Sequence, residues 1–252
     1  MLKKSTKNNT KLKVISLFSG AGGMDIGFED AGFKIKVAVE SDPACCQTLK
    51  VNLPKLKIIQ DLIENVPSTE ILRKAGLKPL ETALVIGGPP CQPFSLAGKR
   101  GGLNDAKGHL FKEFARVVRD TLPVGFVLEN VKGLVNWDHG RAKAALIEEF
   151  TKPVSYKGKT YQYKVKLEIL NAKDFGVPQN RERMFLVGNR VDVDFQFPTR
   201  THGDELTLLE PDLKPYITVW EAISKLPEPD KPSETAIRVA GTISQRRIAY
   251  GY

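Results

Sequence analysis

The sequence predicts an α/β fold, a doubly wound and mostly parallel sheet, on three observations. Short apolar runs alternate with helical patterns over residues 13–190. Glycine, proline or polar turns separate them, and 252 residues are enough to bury one large core without disulfide staples. Val14-Ile15-Ser16-Leu17-Phe18 reads as the first strand. A glycine-rich turn, a helix over Met24–Ala31 and a strand over Ile35–Val39 follow. The rhythm returns as a strand at Lys57-Ile58-Ile59, a helix near Thr69–Ala75, a strand at Ala83–Ile86, a helix over Leu110–Asp120 and a strand at Gly125–Leu128. Repeated β-α-β units of this kind imply parallel strands with right-handed crossovers. Tyr161–Leu170 and Arg183–Val187, on either side of a polar loop, read as a strand pair closing one sheet edge. From about Asn189 prolines and polar residues replace the apolar periodicity, apart from a helical stretch at Val219–Leu226. The expected organisation is therefore a basic disordered tail over residues 1–12, an α/β domain over 13–190 and an irregular extension over 191–252.

Composition narrows the function classes. The 38 Lys and Arg against 29 Asp and Glu give a net charge of +9, a bias towards polyanionic partners. Lys3, Lys4, Lys7, Lys11 and Lys13 concentrate part of it in the tail, where it serves phosphate contacts or simply solubility. No apolar run approaches the roughly 18 residues that a membrane span needs, and the first residues carry no signal-peptide stretch, so a cytoplasmic protein without membrane association is expected. Three cysteines, with no CxxC or Cys/His spacing, predict neither a disulfide framework nor a metal site. Cys45 and Cys46 lie in a helical pattern as small packing residues.

Four segments carry chemistry. Phe18-Ser-Gly-Ala-Gly-Gly23 follows the first strand and opens a helix, the place where an open α/β sheet binds a cofactor. It is not GxGxxG, because Asp25 occupies the sixth position counted from Gly20. Gly20 and Gly23 still allow close backbone approach to a ligand. Glu40 ends the second strand, placed for ribose hydroxyls, and Asp61 follows the third, placed for an adenine amino group; a tight turn with two exposed acids is the plain alternative. Pro89-Pro-Cys-Gln-Pro-Phe-Ser95 follows the Ala83–Ile86 strand, and its rigid Pro-Pro presents Cys91 as a nucleophile would be presented. A packing cysteine is the alternative there. The glycine-rich run after it, with Lys99 and Arg100, suits a loop that closes over a phosphate-bearing substrate. Glu129-Asn130-Val131 brings a carboxyl to the same sheet edge, able to share a proton with a ring nitrogen unless the pair is merely a turn. Gln179-Asn-Arg-Glu-Arg183 sends Arg181 and Arg183 to one face, as a carbonyl or phosphate clamp or as a surface Arg-Glu-Arg cluster.

Taken together and in this order, the four segments resemble the DNA (cytosine-5) methyltransferase family over roughly residues 13–190, with Pro-Cys-Gln and Gln-x-Arg-x-Arg the most specific pieces. The resemblance implies the sheet of the S-adenosylmethionine-dependent methyltransferases, S-adenosylmethionine as cofactor and double-stranded DNA as partner, with the target cytosine flipped out. It makes Cys91 the nucleophile and Glu129 the partner of the base's N3. Arg183, with Arg181, would hold the flipped base, and Gln92, Ser95 and Asn130 would belong to the substrate loop. Phe18, Gly20, Gly23, Glu40, Asp61 and Pro90 would line the cofactor site. These residue types suit the reaction: C5 of cytosine is a poor nucleophile until a thiolate adds at C6 and N3 absorbs the charge. Extruding the base costs a few kcal/mol, which the pocket and a closing loop around Gln92–Asn104 must offset.

In that family a target-recognition region follows the segment resembling Ile217-Thr-Val-Trp-Glu-Ala-Ile-Ser-Lys-Leu-Pro227. An Arg-Glu motif and a Gly-Asn-x-Val segment come after it, and neither closing motif occurs here. The expectation is the larger subunit of a split restriction-modification enzyme, or a truncated product. A small second chain would then supply target recognition and the closing helix. An RNA (tRNA) cytosine-5 methyltransferase and a non-catalytic DNA-associated remnant are the competing readings.

Overall fold

The computed structural model describes residues 11–90, 109–136, 140–204 and 212–226. Its central feature is a seven-stranded sheet in the order β3-β2-β1-β4-β5-β9-β8. β1 (Lys13–Leu17), β2 (Lys34–Glu40), β3 (Lys57–Gln60), β4 (Leu84–Gly87) and β5 (Gly125–Val131) pair in parallel. β8 (Lys164–Asn171) and β9 (Glu182–Asn189) pair antiparallel to each other, and β9 joins β5 antiparallel. The edge pair agrees with the sequence expectation, except that the strand expected from Tyr161 is interrupted. Residues Lys159–Tyr161 form β7, which pairs with β6 (Val154–Tyr156) as a separate hairpin. The chain runs outward through β1, β2 and β3, then returns to place β4 beside β1 and β5 beyond it. This reversal between β1 and β4 is the topological switch point at which open sheets bind ligands.

Local chemistry sets the helices. α1 (Gly23–Asp30) begins after Gly22, whose φ of 88° suits only glycine and whose absent side chain leaves room for Leu49; a Cβ there would lie 2.7 Å from Leu49 Cδ2. α2 (Pro43–Asn52) is capped by Asp42, which accepts the Cys45 N–H at 2.8 Å, with proline at the first helical position. α3 (Ser68–Ala75) stops at Gly76 in a left-handed cap, where Leu77 N–H donates to the Leu72 carbonyl. α4 (His109–Thr121), the short α5 (Gly133–Asn136) and α6 (Arg141–Thr151) complete the larger unit.

The sheet's two faces are covered unequally. On the first, Ile15, Leu17, Val39, Val85, Phe126, Leu128, Met184 and Leu186 pack with α3, α4 and α6 in one continuous core. Phe126 stacks on Phe150 at 4.6 Å between centroids, and Phe114 meets both edge-on. On the second face Val14, Ile35 and Ile86 form a smaller cluster with Met24, Phe28, Phe33 and Leu56. Among the described residues this second cluster reaches as far as Leu84 of β4 and Val127 of β5. Leu84 and Val127, with Phe185 and Val187 of β9, floor an apolar groove of about 460 Å3, flanked by the edge-to-face pairs Phe28–Phe33 and Phe195–Phe197.

The chain divides into two compact units, 1–172 with 180–200 and 173–179 with 201–252. In the smaller unit β10 (His202–Gly203) and β11 (Lys214–Pro215) pair in parallel, and Tyr216 donates to Asp174. α7 (Val219–Ile223) begins at a capping box made by Thr218 and Glu221. No helix among the described residues is long and apolar enough to cross a membrane.

Candidate active site

Two clusters lie at the carboxyl ends of the parallel strands, on either side of the switch point. The first is a cavity of about 330 Å3 lined by Phe18, Glu40, Asp61, Ile63, Pro90 and Leu110, among others. Phe18 follows β1 in a left-handed conformation, φ 52°, which is strained for a residue with a side chain and is held by its surroundings. Glu40 ends β2 and secures the turn: its Oε2 accepts Gly20 N–H at 2.7 Å, and its Oε1 accepts Ser41 and Asp42 N–H at 2.8 and 2.9 Å. Charge-assisted bonds of this type are stronger than neutral ones. Asp61 follows β3, and its Oδ1 accepts Leu62 N–H at 2.7 Å and Asn65 Nδ2–H at 2.9 Å. Of the residues expected at a cofactor site, Phe18, Glu40, Asp61 and Pro90 line this cavity. Gly20 reaches it through Glu40, while Gly23, the first residue of α1, is absent from the lining. Apolar walls and two carboxylates suit a flat heterocycle bearing hydroxyl and amino donors.

Sequence reasoning missed what stiffens this cavity. Arg116, on α4, donates to the carbonyls of Ile63 and Val66 at 3.1 Å each and to the Ser68 hydroxyl at 2.8 Å, and pairs with Glu113. It thereby fixes the 3-10 turn Ile63–Asn65, which forms one wall of the cavity. The sequence holds no trace of this role, because an Arg three residues after a Glu on a helix reads as an ordinary surface pair.

The second cluster gathers around Glu129. Residues 129 and 130 lie inside β5, so the turn alternative does not hold. Gly88 is pressed against the carboxylate: a Cβ there would lie 3.0 Å from Glu129 Oε2. Gly87 is tighter still, since a Cβ would meet the Leu17 carbonyl oxygen at 2.2 Å. Asn130 is buried, and its Nδ2 donates to the Pro89 carbonyl at 2.8 Å, tying β5 to the loop that leads towards Cys91. Arg183 Nε lies 3.0 Å from Glu129 Oε1, and an Arg181 terminal nitrogen lies 3.8 Å from the same oxygen. Glu182 points elsewhere and pairs with Lys132 at 2.6 Å, so the surface Arg-Glu-Arg cluster does not form. The backbone explains the convergence: β9 runs antiparallel to β5 with Arg183 opposite Val131, so alternate residues bring both guanidiniums to the Glu129 side. Cys91, Gln92 and Ser95 lie outside the described residues. Cys46, by contrast, is buried in α2 as expected of a packing residue, and Cys45 is half-buried.

Comparison with known proteins gives this geometry a family. The family model for C-5 cytosine-specific DNA methylases matches residues 12–245. The Type II methyltransferase M.AquIA of a Picosynechococcus strain is 54% identical over 95% of this chain and 99% of its own length. M1.HphI of Haemophilus parahaemolyticus is 40% identical over 86% of this chain and 53% of its own, so the chain spans about half the length of that relative. Among solved structures, a prophage-encoded E. coli protein described as a DNA modification methyltransferase superposes with a TM-score of 0.67 at 27% identity, over 87% of this chain and 56% of its own. The mostly parallel sheet is thus the methyltransferase sheet expected from the sequence. With the family model spanning the whole sheet and both clusters, the chain belongs to the C-5 cytosine-specific DNA methylase family.

Proposed function

We propose that this chain transfers a methyl group from S-adenosylmethionine to C5 of a flipped cytosine in duplex DNA, as the modification component of a restriction system. The observation that carries the reading is the ion-paired Glu129 beside Gly88 and Pro89. A carboxyl group and two guanidiniums meet at the point where the chain turns towards Cys91. Bound in the neighbouring cavity, S-adenosylmethionine supplies the electrophilic methyl group. Phe18, Ile63, Pro90 and Leu110 offer its ring an apolar slot, and Glu40 and Asp61 offer carboxylates to its hydroxyl and amino donors. The Cys91 thiolate adds to C6 of the base. Glu129 shares a proton with N3 as charge builds there, while Arg183, with Arg181, holds O2 and its surroundings. C5 is then electron-rich enough to be methylated. Loss of the C5 proton to a base or water expels the thiolate and restores the ring.

Two further elements belong to this reading. The loop that includes Gln92 and Ser95 closes over the extruded base, and Asn130 holds that loop's root through Pro89. A second chain supplies target recognition and a closing helix. The groove over β5 and β9, which the described residues leave uncovered, supports that partner, because strands carrying apolar residues on a face are ordinarily covered there. The groove floor and Glu129 share one face of the sheet, since Gly125, Val127 and Glu129 alternate along β5.

The experiment is transfer of labelled methyl groups from S-adenosylmethionine to unmethylated duplex DNA and to tRNA, by the chain alone and with the product of the adjacent reading frame. Cys91→Ala serves as the blank. DNA labelling that needs the second chain and vanishes in the blank is expected. Sequence-specific labelling by the chain alone sinks the partner, and labelling of tRNA without DNA moves the substrate to RNA.

A further inference from the structure

A buried carboxyl that the reaction above leaves unused lies in the first turn of the helix that follows the cavity's glycine-rich turn. Asp25 is the third residue of α1 and has no solvent exposure, and among the described residues neither of its carboxyl oxygens has a partner in good hydrogen-bond geometry. Burying such a group without well-placed partners is costly, so proteins seldom keep one in a fold without a use for it. Its polar neighbour is Ser16, itself buried near the end of β1, whose hydroxyl lies 2.8 Å from the Ser19 hydroxyl. Ser19 in turn sits between the strained Phe18 and Gly20. It accepts the Gly22 N–H at 3.0 Å and donates its own N–H to the Val39 carbonyl at 3.4 Å. Ser16 therefore stands between Asp25 and Ser19, next to the turn that carries Phe18 into the cavity and offers Gly20 N–H to Glu40.

The helix end suits an acidic group. Gly22 caps α1 without a side chain, leaving first-turn N–H groups that favour negative charge nearby. Burial works against ionisation and pushes the Asp25 carboxyl above its ordinary range, with Glu29 adding to the push and Ser16 opposing it.

We infer that Asp25 is a positioning residue for the cofactor turn, acting through Ser16 and Ser19 to hold Phe18 and Gly20 in their left-handed conformations. This rests on reading the cavity as the cofactor site. It predicts an unusual pattern: removing the carboxyl leaves the free protein as stable as before, or more so, yet loosens one turn. The test combines three readouts on Asp25→Ala, Asp25→Asn and Ser19→Ala in the intact chain. They are the melting temperature, amide hydrogen exchange at Gly20, and calorimetric titration with S-adenosylmethionine.

For Asp25→Ala the expected result is an unchanged or raised Tm, with Gly20 exchange about tenfold faster, exchange in β2 unchanged and cofactor affinity about tenfold weaker. Asp25→Asn, which keeps a donor and an acceptor in place, should stay within about twofold of the parent in exchange and affinity. Ser19→Ala decides the matter if Asp25→Ala does not fold. Gly20 exchange several-fold faster is expected of it, and an unchanged rate overturns the inference. So does an Asp25→Ala protein whose Tm falls while exchange rises evenly through the sheet, since Asp25 would then be ordinary core. If the parent chain binds no S-adenosylmethionine while Gly20 exchange still answers to Asp25, the cofactor reading fails and the positioning role stands.

Discussion

Over β1 and β2 the second face of the sheet is covered by Met24, Phe28 and Phe33, and the cavity at the carboxyl ends of these strands is already shaped by its own hydrogen bonds. Glu40 takes three N–H donors, and Arg116 braces the opposite wall. Over β5 and β9 the same face lies open among the described residues, and the site at that end consists of side chains paired with one another. At the first end the polar side chains hold backbone groups. At the second, Glu129 is held by Arg183 and approached by Arg181. Under the proposed function, a preformed site for the small molecule beside a site completed by the macromolecule is the arrangement that base extrusion would require, because the pocket must stay open until the base arrives.

The sharpest way to break this contrast is Glu129→Gln. If the two halves do separate work, methyl transfer falls by about 100-fold or more, while cofactor affinity stays within about twofold of the parent. Steady-state labelling together with calorimetry reads both quantities, and a matching loss in both would show the halves to be one. Glu40→Ala probes the other side. Losing a carboxylate that holds three N–H groups should weaken S-adenosylmethionine binding by roughly tenfold to thirtyfold, about 1.4–2 kcal/mol, while turnover at saturating cofactor changes little. A fall in turnover with unchanged binding would overturn it.

These halves were not equally legible in the sequence. The parallel sheet showed itself because its strands are short apolar runs cut by turns, a local signal. Glu40 and Asp61 were legible for the same reason: each directly follows a strand, and strand ends are where such a sheet offers side chains to a ligand. Arg181 and Arg183 could be assigned to one face by counting, but their common target could not, since Glu129 is some fifty residues away and only the β5–β9 register joins them. Asp25 and Arg116 left no mark. One looks like any acid in a first helical turn, and the other like half of a surface pair; burial and long-range contacts alone reveal them. The interruption at Gln162–Tyr163 went unread as well, because Tyr161–Leu170 keeps a strand-like composition while Tyr163 turns inward to donate to the Pro123 carbonyl. The bare groove is equally invisible in one dimension. Val187 and Val127 resemble every other strand valine, and only the absence of a helix above them among the described residues sets them apart.

The groove gives the next test. Val193 stands at its rim, 59% exposed, so an aspartate there should fold normally and leave cofactor affinity unchanged. If an apolar helix of a second chain seats on this floor, Val193→Asp should weaken its binding by about tenfold, the usual cost of placing a charge against a buried apolar contact. Co-purification at defined salt, followed by titration of the separate chains, measures this. Unchanged binding would move the partner to another surface.

The smallest effect belongs to neither half and so calibrates both. On the first face, Glu149 of α6 pairs with Arg119 of α4 and lies 2.7 Å from Lys152, linking the two helices that back β5. Burial pushes its carboxyl up, but hydrogen bonds from Lys152 and Arg119 outweigh that and hold it below the ordinary value of 4.5. A carboxylate depressed by folding stabilises the protein only while it is ionised. The contribution is fully present above about pH 5, and it fades as pH falls through the lowered folded value. The pair is partly exposed, so its worth is set by screened contact, about 1 kcal/mol, which is roughly 3 °C in Tm for a domain of this size. Glu149→Gln should therefore melt about 3 °C lower at pH 7, with the gap to the parent narrowing steadily below pH 4. Cofactor affinity and methyl transfer at pH 7 should not change, because among the described residues the partners of Glu149 and Arg119 are each other and Lys152, outside both clusters. A pH-independent gap would mean that Glu149 acts through packing rather than charge.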